Sequence, residues 1–132
     1  MVSTLAGVID ASTLAAVVFG EAEAAAINLD LAPEQLVSTT LLPHEFANVC
    51  VKKHLRAGLT LEMLLAHLRR YDAFGIRIEP VSTPEVVAVA IRYGISSYDA
   101  AYLWLALVKE LPLLTLDKKL GNAYQRALKE IA

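Results

Sequence analysis

Apolar residues are spaced along this chain in two rhythms. Four short runs are almost continuous: LAGVID (5–10), LVSTTLL (36–42), IRIEPV (76–81) and LPLLTLD (111–117). Runs of that length, rich in branched aliphatics and threonine, predict strands. Continuity in place of strict alternation predicts strands covered on both faces. Between the runs, apolar positions recur with helical period over 12–29, 43–57, 60–73, 83–93 and 97–109. A last helix is expected from about Lys118. Pro43 and Pro84 fall where first-turn prolines belong, and Gly58 and Gly75 where helices stop.

Strands that alternate with helices imply right-handed crossovers and parallel pairing. The expected class is therefore α/β, a three-layer α/β/α arrangement around a central, mostly parallel sheet of four to five strands. With no linker, internal repeat or low-complexity tract, residues 1–132 read as one domain. In such sheets the functional crevice lies beyond the carboxyl ends of the strands, where strand order reverses. The position of each acid relative to a strand end thus becomes informative.

Composition adds a constraint. The chain is 56% apolar with a positive mean hydropathy, which is high for 132 residues. Either both sheet faces are covered, or apolar surface is reserved for a partner. The longest unbroken apolar stretch, AAYLWLALV (100–108), is well short of the ~18 residues a membrane span needs. The first positively charged side chain is Lys52, and Asp10 interrupts the apolar start, so a signal peptide is not expected. The single cysteine, Cys50, cannot form an internal disulfide, which suits a reducing cytoplasm. It falls among Phe46, Val49 and Leu55 at helical spacing and reads as a small core residue. A net charge of −2 does not advertise nucleic-acid binding, although Lys52, Lys53, Arg56, Arg69, Arg70, Lys118 and Lys119 could form a local basic surface.

Four acids then stand out. Asp10 closes the first apolar run and Asp117 the last. Glu45 follows Pro43 directly after the second run, and Asp99 follows Ser96 and Ser97 at a helix start. Singly, each has a structural explanation. Asp10 or Asp117 can cap the following helix, Glu45 can complement a helix dipole, and Ser96-x-x-Asp99 loosely fits a capping box. Together they would share one edge of a parallel sheet. Carboxylates gathered there repel one another and raise each other's pKa, a cost that a hard cation such as Mg²⁺ or Mn²⁺ removes. A carboxylate-held cation of that kind serves phosphodiester hydrolysis. His44, His54 and His67 show no ligand spacing and read as surface or packing residues. Neither common glycine-rich phosphate loop is present.

The succession V-I-D-A-S-T-L, P-H-E-F-A-N, S-S-Y-D-A-A-Y-L-W-L-A and L-L-T-L-D-K-K-L resembles the PIN domain over essentially the whole chain. Within that family it is most similar to VapC-type toxins of toxin–antitoxin pairs. The resemblance implies a PIN-like fold and an acidic pocket of Asp10, Glu45, Asp99 and Asp117. In the family that pocket holds Mg²⁺ or Mn²⁺ for endonucleolytic cleavage of RNA. It also matches Ser12, Asn48 and Thr115 to supporting positions; capping, strand propensity and a solvated amide explain these three equally well. On this reading Asp10 and Asp99 are the principal ligands, completed by Glu45 and Asp117. The resemblance further implies a homodimer and a cognate antitoxin lying across the acidic groove. AAIN (25–28), AAYLWLALV, Tyr102 and Trp104 are candidates for partner surface, with core packing the alternative for the two aromatics.

Two rivals with acids at strand ends fit less well. A phosphoacceptor receiver domain needs paired acids after the first strand and an Asp ending the third. A haloacid-dehalogenase-type phosphatase needs Asp-x-Asp where this chain has Asp10-Ala11-Ser12. A PIN-like binding or scaffold module without catalysis remains the alternative to a nuclease.

Overall fold

The computed structural model describes residues 7–27 and 35–131. Four strands, β1 (Gly7–Ile9), β2 (Leu36–Thr39), β3 (Arg77–Glu79) and β4 (Leu113–Leu114), form one sheet in the order β3-β2-β1-β4. Every pairing is parallel, with Val8 opposite Val37 and Leu113, and Ser38 opposite Ile78. The helices are α1 (Ala11–Val18), α2 (Leu42–Ala57), α3 (Leu61–Ala73), α4 (Thr83–Tyr93), α5 (Ser97–Lys109) and α6 (Lys118–Ile131).

The layers follow from strand alternation. Successive side chains on a strand face opposite sides of the sheet. Val8 and Val37 enter a core with residues of α4, α5 and α6, while their neighbours Ile9 and Leu36 enter one with residues of α1, α2 and α3. Leu103 and Leu105 anchor the first core, and Leu14 and Phe46 the second, all within 1% of full burial. The expected three-layer architecture is present with four strands.

Helix boundaries agree with expectation at five of six elements; the first helix differs. In place of one helix over 12–29, α1 ends at Val18, with Phe19 as its C-cap. Gly20 takes φ +67°, a left-handed conformation that breaks the helix and that glycine adopts without steric cost. A separate 3-10 turn follows over Ala22–Ala26. Residues 28 and 29 of the expected helix, and Leu5 of the first apolar run, lie outside the described residues.

The strands are shorter than the apolar runs that mark them. After β2, α2 begins at Leu42 with Pro43 in its first turn, so the end of LVSTTLL belongs to a helix start. After β4, Thr115, Leu116 and Asp117 form the loop into α6. β1 and β4 meet closely: the Val8 amide donates to the Pro112 carbonyl at 2.9 Å. A Cβ on Gly7 would stand 2.9 Å from that same oxygen, so no larger residue fits without moving backbone. Across the sheet, the Ser38 hydroxyl donates to the Ile9 carbonyl at 2.7 Å.

Strand order reverses at β1: the chain steps from β1 to β2 to β3 on one side, then returns to place β4 on the other. The crevice at the carboxyl ends of β1 and β4 is the site that the topology favours.

Candidate functional site

Asp10 follows β1 directly and is only 4% exposed. A buried carboxylate must be hydrogen-bonded or neutralised, and both of its oxygens find donors. Oδ1 accepts the Thr13 amide at 3.0 Å, making Asp10 the N-cap of α1. Oδ2 accepts the Thr115 hydroxyl at 2.6 Å. The Thr115 oxygen in turn accepts the Asp117 amide at 3.1 Å, so one side chain ties the first acid to the last. Thr13 strengthens the same junction, its Oγ1 accepting the Leu116 amide at 2.9 Å.

Asp117 caps α6, with Oδ1 accepting the Leu120 amide at 2.8 Å. Asp99 occupies the first turn of α5, and its amide donates to the Ser96 hydroxyl at 3.1 Å. Glu45 occupies the first turn of α2, where the Tyr102 hydroxyl donates to its Oε1. The capping explanations considered for Asp10 and Asp117 thus hold. Capping does not exhaust either residue, because each carboxylate also faces a common space.

That space is a hollow of about 200 Å³ lined by Asp10, Glu45, Asp99 and Asp117 together with Ala11, Ser12 and Tyr102. Sequence positions spread over most of the chain are thus brought to one crevice. Electrostatics register the crowding. The Asp99 carboxyl is held above the ordinary aspartate range, first by partial burial and then by the charges of Asp117, Asp10 and Glu45, with Lys119 pulling the other way. The Tyr102 phenol is pushed up by burial and by its bond to Glu45, which keeps it a proton-bearing donor.

The donor set is all carboxylate oxygen, the chemistry that Mg²⁺ and Mn²⁺ prefer. Among the described residues, no three His, Cys, Asp or Glu side chains already stand at ligand spacing. The four acids line the hollow without converging on a ready-made set of ligands.

The supporting positions divide. Ser12 lines the hollow's lip, and Thr115 clamps Asp10 from behind. Asn48 does not line this hollow; it lines a neighbouring cavity of about 340 Å³ with Leu41, His44, Glu45 and Tyr98. Tyr102 is 2% exposed, so of its two expected alternatives the structure gives core, and adds a contact to Glu45. Its place three residues after Asp99, on the same helical face, is the signal that was available. Thr13 carried no comparable signal.

Other expectations resolve plainly. Trp104 is half-buried, its Nε1 donating to Glu85 at 2.9 Å. AAYLWLALV is mostly core, since its alanines let α5 pack closely against the sheet and α4. In AAIN, Ala25 and Ala26 are exposed, and Asn28 lies outside the described residues. Cys50 is buried, which raises its thiol pKa. His67 packs on the Phe19 ring at 4.4 Å, and His54 Nδ1 lies 2.8 Å from the Leu59 carbonyl. Among the basic candidates, Lys53 pairs with Glu21 and Arg70 donates to the Val18 carbonyl at 2.9 Å. A larger, apolar groove of about 420 Å³ lies between α2 and α3, where Val51 and Leu61 are more than half exposed. None of the four acids lines it.

Comparison with known proteins bears on this geometry. The PIN domain family model matches residues 7–125. Ribonuclease VapC3 of Pyrobaculum aerophilum is 31% identical over 123 residues, covering 89% of this chain and 93% of that protein. The crystal structure of PAE2754 from Pyrobaculum aerophilum aligns with a TM-score of 0.70 at 23% identity, over 94% of this chain and 87% of that one. At that identity the likeness speaks for the fold.

Proposed function

This chain belongs to the PIN domain family, and from that premise we propose that it is a Mg²⁺- or Mn²⁺-dependent endoribonuclease acting as the toxin of a toxin–antitoxin pair. One observation carries the reading: Asp10, Glu45, Asp99 and Asp117 line a single hollow at the carboxyl edge of a parallel sheet. The similarity to a VapC ribonuclease supports RNA as the substrate.

Each residue has a distinct task. Asp10 and Asp99 would hold the cation, and Glu45 and Asp117 would complete the site directly or through water. A divalent cation bound there would lower the pKa of water and offset charge developing on the phosphodiester. Thr115 holds the Asp10 carboxylate in place beside the hollow. Tyr102 fixes Glu45 in the same way. Lys119, whose charge reaches Asp99, offers the RNA backbone a positive contact at the rim of an otherwise repelling site.

The apolar groove between α2 and α3, flanked by exposed Leu55 and Met63, supports a protein partner. It is the kind of surface an antitoxin segment or a second copy in a homodimer would cover. No helix among the described residues is long and apolar enough to cross a membrane; a cytoplasmic location is part of the proposal.

Asp10→Asn and Asp99→Asn test it. Each should cut RNA more than about a hundredfold more slowly than the parent, beyond the 10–100-fold typical of outer-shell losses. Each should also lose the rise in melting temperature that Mn²⁺ gives the parent. Parent-like cleavage by either variant rejects the assignment. A parent protein inert on RNA, yet bound by a protein partner, favours the scaffold reading.

A further inference from the structure

The cavity beside the acidic hollow is walled by Leu41, His44, Glu45, Asn48 and Tyr98. Glu45 belongs to both walls, so the two spaces are neighbouring compartments. Helix geometry builds the pair. His44 and Asn48 are four residues apart on α2 and share one face, with Glu45 between them. Tyr98 and Asp99 are consecutive at the start of α5 and diverge by about 100° around the helix. One turn thus sends an aromatic ring to one compartment and a carboxylate to the other.

The second compartment differs in chemistry from the first. It has one acid in place of four, adds an imidazole and an amide, and presents an exposed phenol where the first has a buried one. Tyr98 is 57% exposed, whereas Tyr102, one turn further along, is 2% exposed. His44 and Asn48 are exposed as well, so all three polar tips are open to a ligand. An aromatic face beside an amide that carries a donor and an acceptor side by side is the equipment that reads an unpaired base. Bases splayed from single-stranded RNA stack on such rings and are read at their edges by amides and imidazoles.

We propose that this compartment is a nucleobase subsite. It receives the unstacked base adjoining the phosphodiester held at the acidic hollow, with Tyr98 as the stacking face and Asn48 and His44 at the base edge. The shared Glu45 wall supplies the spacing, since a base and its own phosphate are separated by a single sugar. The inference rests on the ribonuclease reading and adds to it a position at which sequence is sensed.

The experiment takes a short single-stranded RNA that the parent cuts and replaces each nucleotide flanking the cut, in turn, by an abasic residue. Rates are compared for the parent, Tyr98→Ala, Tyr98→Phe and Asn48→Ala, after thermal melts show that each variant is folded. At one flanking position the abasic substitution should lower the parent's kcat/KM roughly tenfold to a hundredfold. Tyr98→Ala should lose a similar factor on intact RNA and nothing further on the abasic one. Tyr98→Phe, which retains the ring, should recover most of the rate that Tyr98→Ala loses, and Asn48→Ala should flatten the base preference at that position. If Tyr98→Ala matches the parent on both intact and abasic RNA, the subsite is overturned while the ribonuclease reading stands. If the parent cuts no RNA with Mg²⁺ or Mn²⁺, the ribonuclease reading falls and the subsite falls with it.

Discussion

Thr115 bears more of the site than its size suggests. Its proton goes to Asp10 and its lone pair accepts from the Asp117 backbone, so it sets the spacing of two acids at once. Thr115→Val keeps the shape and removes both bonds. The expected result is a 10–100-fold loss in RNA cleavage, the usual cost of losing an outer-shell partner, with a smaller change in melting temperature. Asp99 gives a test of opposite sign. Its pKa is raised in the folded protein, so the folded state holds that proton more tightly than the unfolded chain does. The contribution is fully present below the ordinary aspartate value and is lost as pH rises through the folded value. Metal-free Asp99→Asn should therefore melt higher than the parent near neutral pH, and the gap should close as pH falls towards the ordinary aspartate range. Melts at stepped pH read this directly, and added Mn²⁺ should invert the order. At this scale the sequence revealed the acids, because carboxylates at strand ends and helix starts are conspicuous. Tyr102 sat among apolar neighbours that suggested partner surface or packing and not a contact to an acid, and Asn48 shares a cavity with Glu45 but not with the other three acids.

Among the elements, helices were easier to read than strands. Capping residues and prolines fix where a helix begins: Thr60 and Ser82 accept the Met63 and Glu85 amides, and Pro84 stands in the first turn. Strand limits depend on partners contributed from elsewhere in the chain. LPLLTLD runs for seven residues, yet only Leu113 and Leu114 pair with β1, because the next three residues turn to cap α6. The first helix was overestimated because its alanines continue the helical rhythm past Gly20, and only the positive φ there reveals the break. The β1–β4 contact yields a prediction of its own. Gly7→Ala would press a methyl group against the Pro112 carbonyl and Leu114. Overpacking of this kind costs about 1–3 kcal/mol. It should appear as a lower denaturant midpoint with an unchanged m-value.

For the whole molecule, layer architecture was legible and strand order was not. Continuous apolar runs announce a sheet covered on both faces, and the paired cores bear that out for β1 and β2, whereas the edge strand β3 leaves Arg77 and Ile78 exposed. Nothing in residue pattern says that β4 returns to the far side of β1 and not to the edge beyond β3. That return is what carries Asp117 to Asp10. The apolar surplus likewise forecast exposed apolar surface, and AAYLWLALV was a poor guide to its place: α5 buries most of that run, and exposed aliphatics lie on α2 and α3, at Ile91 of α4 and at Ile131 of α6. The bond from Thr115 to Asp10 bridges 105 positions of sequence. A ribosome part-way through the message therefore carries a nascent polypeptide with its opening aspartate made and its closing threonine not yet translated. On the ribonuclease reading, a nascent polypeptide that stops short of β4 lacks Thr115 and Asp117 and cannot assemble the four-acid hollow.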